Sequence, residues 1–213
     1  MVVHQIKDPE TNETLIIDLD IPGQLGWTEL IGMARLAKQV PPNGVVVETG
    51  SLYGRSSFVW AKNVHPTVTV YCIDPWEREQ WIVDIVEKPQ KVDRPFSLEA
   101  FQYYTYTRDC PNIRTIKGRS PDAVQGTWNQ WVDLYFDDAD HNEPGLSRNR
   151  DFWTRWVKPG GVFCGDEYNS DFPECLRKTY ELAMEWGVPV HSAGFFWWMR
   201  KPSGPASGQQ GRR

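Results

Sequence analysis

The stretch VVVETGSLYGRSS, residues 45–57, decides the fold. Its valines follow the breaker PPNG and form a short apolar run, the pattern of a strand buried on both faces. The run ends in an acid, Glu48, then passes Gly50 and Gly54 before a helical stretch over residues 56–63. Glycines there let backbone approach a ligand closely, and the helix N-terminus adds a partial positive charge. Ser56 and Ser57 can cap that helix or donate hydrogen bonds to an anionic group. The spacing differs from the dinucleotide GxGxxG, and a glycine pair alone also suits an ordinary strand-to-helix turn.

Outward from this motif, short β-rich runs alternate with helical stretches, which predicts an α/β fold with a mainly parallel sheet. Residues 1–26 read as an irregular N-terminal arm, and residues 27–40 as an amphipathic helix with Trp27, Leu30, Ile31, Ala34 and Ala37 in register. Further strands are expected at 67–74, 112–118, 132–138 and 160–168, the last after a Pro-Gly-Gly turn. Helices are expected at 97–107, 120–128, 148–157 and 172–186, and two final antiparallel strands within 188–200. Residues 77–98 are charged, contain proline and lack a period; they read as a lid or as a solvated connection. The main domain spans 27–201, and the apolar-poor tail 202–213 is expected to be disordered.

At 213 residues the chain suits one domain with a sizeable core, and 40% hydrophobic with 24% charged residues is an ordinary globular composition. No apolar run approaches the roughly 20 residues of a membrane span. The N-terminus lacks the basic stretch and apolar core of a signal peptide, so a cytoplasmic protein is expected. Net charge of −5 argues against nucleic acid or an anionic membrane as main partner. Cys72, Cys110, Cys164 and Cys175 form no CxxC pair, which favours reduced thiols over disulfides or zinc. Eleven tryptophans are unusual. By position, Trp60, Trp153, Trp156, Trp186 and part of the Phe195–Trp198 run read as core. Trp27, Trp76 and Trp81 fall beside the proposed site and lid, and Trp128 and Trp131 are unassigned.

Two acidic signals carry chemistry. Asp74 ends the second strand, 26 positions after Glu48. In doubly wound sheets ligands lie beyond the carboxyl ends of strands, where an acid holds ribose hydroxyls. Trp76 then either stacks on a purine or plugs the core edge. The second signal is Asp138, Asp140 and His141 after the fourth strand, with Asp166 and Glu167 after the fifth. Converging carboxylates repel unless a cation, a proton or a basic group intervenes, and such oxygens suit Mg2+, Mn2+ or Ca2+. Solvated loop ends or helix caps are the plain alternative. His141 reads as a base or as a loop hydrogen-bonder, Tyr168 as facing substrate, and Arg148 and Arg150 as a solvated helix face.

Taken in order, E-x-G-x-x-x-G-x-S, I-D-P-W, K-G-x-S-P, F-x-D-x-D-H and G-G-V-x-x-G-D-E-Y resemble the class I S-adenosylmethionine-dependent methyltransferases. They are most similar to a small-molecule O-methyltransferase-like branch with D-x-D-H after the fourth strand. The resemblance covers about residues 20–200. It implies a Rossmann-like, doubly wound, mainly parallel seven-stranded sheet with a terminal antiparallel hairpin. It also implies that Glu48, Gly50, Ser51 and Gly54 wrap the amino-acid part of the cofactor and that Asp74 takes the ribose. Gly118 and Ser120 would lie along the adenine, and Trp27 near the entrance. Ser56, Trp76 and Asp138 complete the expected cofactor set. By likeness to metal-dependent relatives, Asp138, Asp166 and Glu167 would be metal ligands and Asp140 the base, with His141 second. The chain departs from the pattern at Arg119, where an acid is usual, at Asp137, where an apolar residue is usual, and at Glu167, where Asp or Asn is more frequent. A carboxylate buried at position 137 needs a partner, so Asp137 is expected to face a polar pocket.

The expected activity is methyl transfer to a small-molecule hydroxyl, with a divalent cation assisting. Two rivals stand beside it: a metal-dependent oxygenase on the same scaffold, and a non-catalytic cofactor-binding domain. The oxygenase is disfavoured because His4, His65 and His191 lie away from the acidic motifs. The acceptor and the oligomeric state, a homo-oligomer included, are left open.

Overall fold

The computed structural model describes residues 3–204. Most of the expected tail, residues 205–213, lies outside the described residues. The N-terminal segment is an antiparallel hairpin, β1 (His4–Lys7) and β2 (Thr14–Ile17), where an irregular arm was expected. Its turn is held by Asp8, which accepts from Glu10 N and Thr11 Oγ1 and takes a two-pronged ion pair from Arg35. The free edge of β2 is capped by the side chain of Asn63, which pairs with both Ile16 N and Ile16 O. Four-residue strands around a polar turn carry too little pattern to be seen in the sequence.

The chain continues through α1 (Trp27–Ala37), β3 (Val45–Thr49), α2 (Arg55–Asn63) and β4 (Thr69–Asp74). Residues 80–90 form one helical stretch, α3 (Gln80–Ile82), a π turn (Val83–Glu87) and α4 (Lys88–Gln90). Then follow α5 (Leu98–Tyr106), β5 (Ile113–Lys117), β6 (Val132–Asp137), α6 (Gly145–Trp156), β7 (Val157–Gly165), α7 (Pro173–Trp186), β8 (His191–Ala193) and β9 (Phe196–Arg200). The helix expected at 120–128 is a run of turns. Gly126 adopts φ +89°, which stops helical propagation, and buried Val124 and Trp128 anchor the run. The Pro-Gly-Gly segment lies inside β7 as an irregularity, with the β6 register shifting between Val132 and Leu134.

Seven strands form one sheet in the order β5-β4-β3-β6-β7-β9-β8. β5, β4, β3, β6 and β7 are parallel, while β9 runs antiparallel to β7 and β8. The direction of winding therefore reverses between β3 and β6, which places the ligand crevice of such sheets at their carboxyl ends. Alternation splits each central strand between two cores. Val46, Leu134 and Phe136 pack with α1, α2, α5 and the hairpin, while Val47, Tyr135 and Phe163 pack with α6 and α7. Trp60, Trp153 and Trp197 are wholly buried, and Trp128 joins the second core. Trp131 stays exposed. All four cysteines are buried and free. No helix among the described residues is long and apolar enough to cross a membrane.

The same alternation explains Asp137, which shares the α6 face with Tyr135. It is buried, and the partner it needs is a guanidinium set among other polar groups. Arg150 Nε donates to Asp137 Oδ2 at 2.7 Å, while Asn149 Nδ2 and Tyr135 OH donate to Oδ1 at 2.7 and 3.1 Å. Arg150 also reaches Cys175 O and Thr179 Oγ1 on α7. Arg148 keeps the expected solvated face, pairing with Asp122, but Arg150 does not. Its signal was the spacing of Leu146, Asn149, Arg150 and Trp153, the buried stripe of α6. Arg150→Met removes the countercharge and leaves a buried carboxylate, so we expect a loss of roughly 3–5 kcal/mol in urea unfolding; a change within about 1 kcal/mol would show the pair to be dispensable.

Candidate active site

The loops after β3 and β6 meet at the switch point. Gly50 has φ +83°, and its N–H bonds Ile73 O at 3.0 Å while Asp138 N bonds Thr49 O at 3.0 Å. A Cβ on Gly50 would fall 1.9 Å from Asp138 O, so only glycine lets the two loops touch. Gly54, at φ +95°, opens α2. Glu48 shares its strand face with Val46 and so points to α2, where Ser57 Oγ donates to its Oε2. Burial pushes the Glu48 carboxyl up to about 7; the hydroxyls of Ser56, Ser57 and Ser51 oppose this, and the charge of Asp138 adds to it. Glu48 Oε1 and Ser51 Oγ are buried without a well-formed hydrogen bond inside the protein. Two unsatisfied polar atoms behind a left-handed glycine loop fit a polar ligand such as the amino-acid end of S-adenosylmethionine.

Asp74 closes the far side of this loop. Its Oδ2 accepts from Leu52 N at 3.1 Å and its Oδ1 from Trp76 N at 2.6 Å, and burial raises its pKa to about 6. Each oxygen retains a lone pair that ribose hydroxyls could use. Trp76 is buried, packs on Phe101 at 5.1 Å and bonds Leu52 O through its indole nitrogen. Of its two readings, plugging the core edge is the one this placement supports. Gly118, at φ +143°, bonds Asp74 O, and a Cβ there would meet Ala123 Cβ at 2.8 Å. The Ser120 hydroxyl turns inward, donating to Asn149 Oδ1 and accepting from Trp153 Nε1. Arg119 lies exposed and pairs with Glu77 and Glu79.

The acids after β6 and β7 are not equivalent. His141 Nε2 faces Asp138 Oδ1 at 3.5 Å, and its ring packs edge-on against Phe172. Burial pulls the imidazole down, but the charges of Asp138 and Glu167 outweigh it, so His141 titrates above the usual histidine value. Burial raises Asp138 despite its pairing with His141. Asp140 is exposed, and its carboxylate lies against Gly145 at the start of α6. Asp166 is pushed up to about 8, by burial first and then by Asp138 and Glu167, and its Oδ1 is buried without a partner. Glu167 accepts from Asn169 and is raised by burial. As placed, no three His, Cys, Asp or Glu side chains among the described residues are grouped to hold a metal ion. The remaining histidines lie apart: His4 on Trp27, His65 on Thr67 and His191 on Trp198.

Sequence reasoning missed the polar layer beneath this crevice. Thr49 Oγ1 and Tyr135 OH lie 2.9 Å apart, and Asn149 Nδ2 donates to both as well as to Asp137. It also missed Glu29, whose Oε2 caps α1 through Gly26 N and whose Oε1 accepts from Phe195 N in the β8–β9 turn. Trp27 and Phe195 are exposed beside these caps, while Tyr168 is half-buried against Tyr180.

This doubly wound sheet with its glycine loop and acidic crevice defines the Rossmann-like, S-adenosylmethionine-dependent methyltransferase class. The chain belongs to the family described as a methyltransferase domain, whose model matches residues 47–168. No curated protein matches the sequence. Among solved structures, the O-methyltransferase NovP is similar with a TM-score of 0.65 at 14% identity, over 83% of this chain and 81% of that one. The O-methyltransferase TomG from Streptomyces achromogenes, involved in tomaymycin synthesis and solved in complex with SAM, is similar at 0.62 and 16%, over 85% and 82%. An rRNA methylase from Streptococcus thermophilus is similar at 0.59 and 10%, over 84% and 99%. These likenesses establish the fold, and their differing acceptors show that the fold alone does not select one. Gly50→Ala combines a positive φ with a clash on Asp138 O, so it should lose at least roughly 1–3 kcal/mol by chemical denaturation; an unchanged midpoint would contradict the loop contact.

Proposed function

We propose that the chain methylates a hydroxyl of a small molecule, with His141 taking the proton under the control of Asp138. The observation that carries this reading is the His141–Asp138 pair, placed beside the Gly50 contact at the switch point. S-adenosylmethionine supplies, when bound, a sulfonium methyl already activated towards nucleophiles. The protein's task is then alignment, worth up to roughly 7–11 kcal/mol of barrier, and removal of the hydroxyl proton. Glu48, Ser51 and the Gly50–Gly54 loop orient the amino-acid end, and Asp74 the ribose. His141 accepts the acceptor's proton, and Asp138 stabilises the resulting imidazolium and fixes the ring. Asp140 takes second place as base, because it is exposed and turned to α6.

A divalent cation held by Asp138, Asp166 and Glu167 is the second element of the proposal. It is supported by the mutual repulsion of these carboxylates, and their hard oxygens have the right donor chemistry, although no three stand in ligating positions as placed. Such an ion would act as a Lewis acid on the hydroxyl. Acidity and the lack of a basic-aromatic patch favour a small acceptor over nucleic acid.

Saturating S-adenosylmethionine at about 100 times its Kd should stabilise the fold by about 2.7 kcal/mol, and no thermal shift would sink the cofactor reading. EDTA should abolish turnover and Mg2+ restore it; full activity in chelator removes the ion and leaves the histidine step intact. Because neutral His141 is the proposed base, kcat/KM should climb with pH as the imidazole loses its proton. His141→Asn should lower kcat by about 10²–10⁴-fold and erase that limb; an unchanged profile assigns the proton to another group.

A further inference from the structure

The glycine loop is gripped from the segment that reads as a lid. Tyr53, between Gly50 and Gly54, is wholly buried, and its hydroxyl donates to Glu87 Oε1 at 3.0 Å with Arg94 O at 3.2 Å. Glu87 sits in the π turn, 8% exposed, a position where carboxylates are rare unless paired. It also accepts from Phe96 N at 2.8 Å, and Arg78 Nε reaches both its oxygens at 3.0 and 3.2 Å. The wider π turn lets Ile82, Val86 and Glu87 all face inward, and such turns often mark functional sites. Phe96 and Tyr104 pack edge-on against the Tyr53 ring at 5.3 and 5.9 Å. Gln90 exchanges two bonds with Gly23, while Arg55, the first residue of α2, donates to Ile21 O and Leu25 O at 2.7 Å. Segment 77–98, the loop and the 19–25 stretch are therefore joined by one set of bonds.

We infer that Glu87 is a positioning residue for the cofactor loop, acting through the Tyr53 hydroxyl. This rests on the reading of Gly50–Gly54 as the loop that binds S-adenosylmethionine. Glu87 touches no reacting atom. It sets where Leu52, Tyr53 and Gly54 stand, and so the shape that the cofactor meets. Arg78 holds the Glu87 carboxyl down to about 2, so the grip keeps its charge throughout the neutral range.

The test is calorimetric titration of S-adenosylmethionine into the wild type, Tyr53→Phe, Glu87→Met and the double variant. Tyr53→Phe keeps the ring and its packing and loses only the hydroxyl, so it reads the grip even where Glu87→Met, which removes the acceptor, folds poorly. Each single change should weaken Kd about tenfold, and the double about as much as either alone, because both break one linkage. KM for the cofactor should rise in step, with kcat at saturating cofactor and KM for the acceptor each within about twofold of wild type. An unchanged Kd in Tyr53→Phe, or losses that multiply in the double variant, overturns the inference. A wild type that does not bind S-adenosylmethionine overturns the loop reading itself, and the inference falls with it.

Discussion

The contact between Gly50 and the carbonyl of Asp138 is the constraint from which the crevice follows. Two parallel strands wound in opposite directions leave a gap at their carboxyl ends, and here that gap is closed by backbone against backbone. Glu48 on β3 precedes this contact and Asp138 belongs to it, so the loop that carries Asp138 and His141 is tied to the end of β3. The β7–β9 pairing extends the same edge, setting Gly165 beside Trp197, and a Cβ at Gly165 would press on both Asp137 O and that ring.

Two carboxylates enter the interior next to this contact, one on each sheet face, and the fold treats them oppositely. Asp137 receives a guanidinium, an amide and a phenol, so its charge is matched within the core. Glu48 receives only hydroxyls, and burial leaves it near 7. The sign of that shift matters. A carboxyl held above its unfolded pKa stabilises the fold while protonated and loses that contribution as pH rises from about 4.5 towards 7. At neutral pH Glu48 thus works against stability, as is usual for a group kept for binding. Asp166, raised further still, makes the same kind of concession beside Asp138 and Glu167.

The frame of the molecule was legible because it rests on period and punctuation. Apolar runs ended by acids, and glycines after β3 and before α2, suffice to order the parallel strands. The polar interior was not legible, because its partners lie far apart in sequence. Nothing local in Asp137 announces Arg150, and nothing local in Ser120 announces its bonds to Asn149 and Trp153 across the fold. Residues 77–98 failed for a related reason. A π turn breaks the 3.6-residue pattern that reveals a helix, and its one inward carboxylate looks like another surface charge until Tyr53 and Arg78 are seen on it.

In the proposed reaction the histidine, and not the exposed aspartate, takes the proton, and the charges around it favour that role. Asp140 lies exposed against Gly145 at the start of α6. His141 is flanked by Asp138 and feels Glu167, so the cation formed on accepting a proton is stabilised where it arises. Under that proposal Asp138 and Glu167 favour the charged histidine, and a divalent ion drawn to these acids would share them with it. The balance between proton and metal at these carboxylates is then a single electrostatic question, posed by the convergence of the ends of β6 and β7.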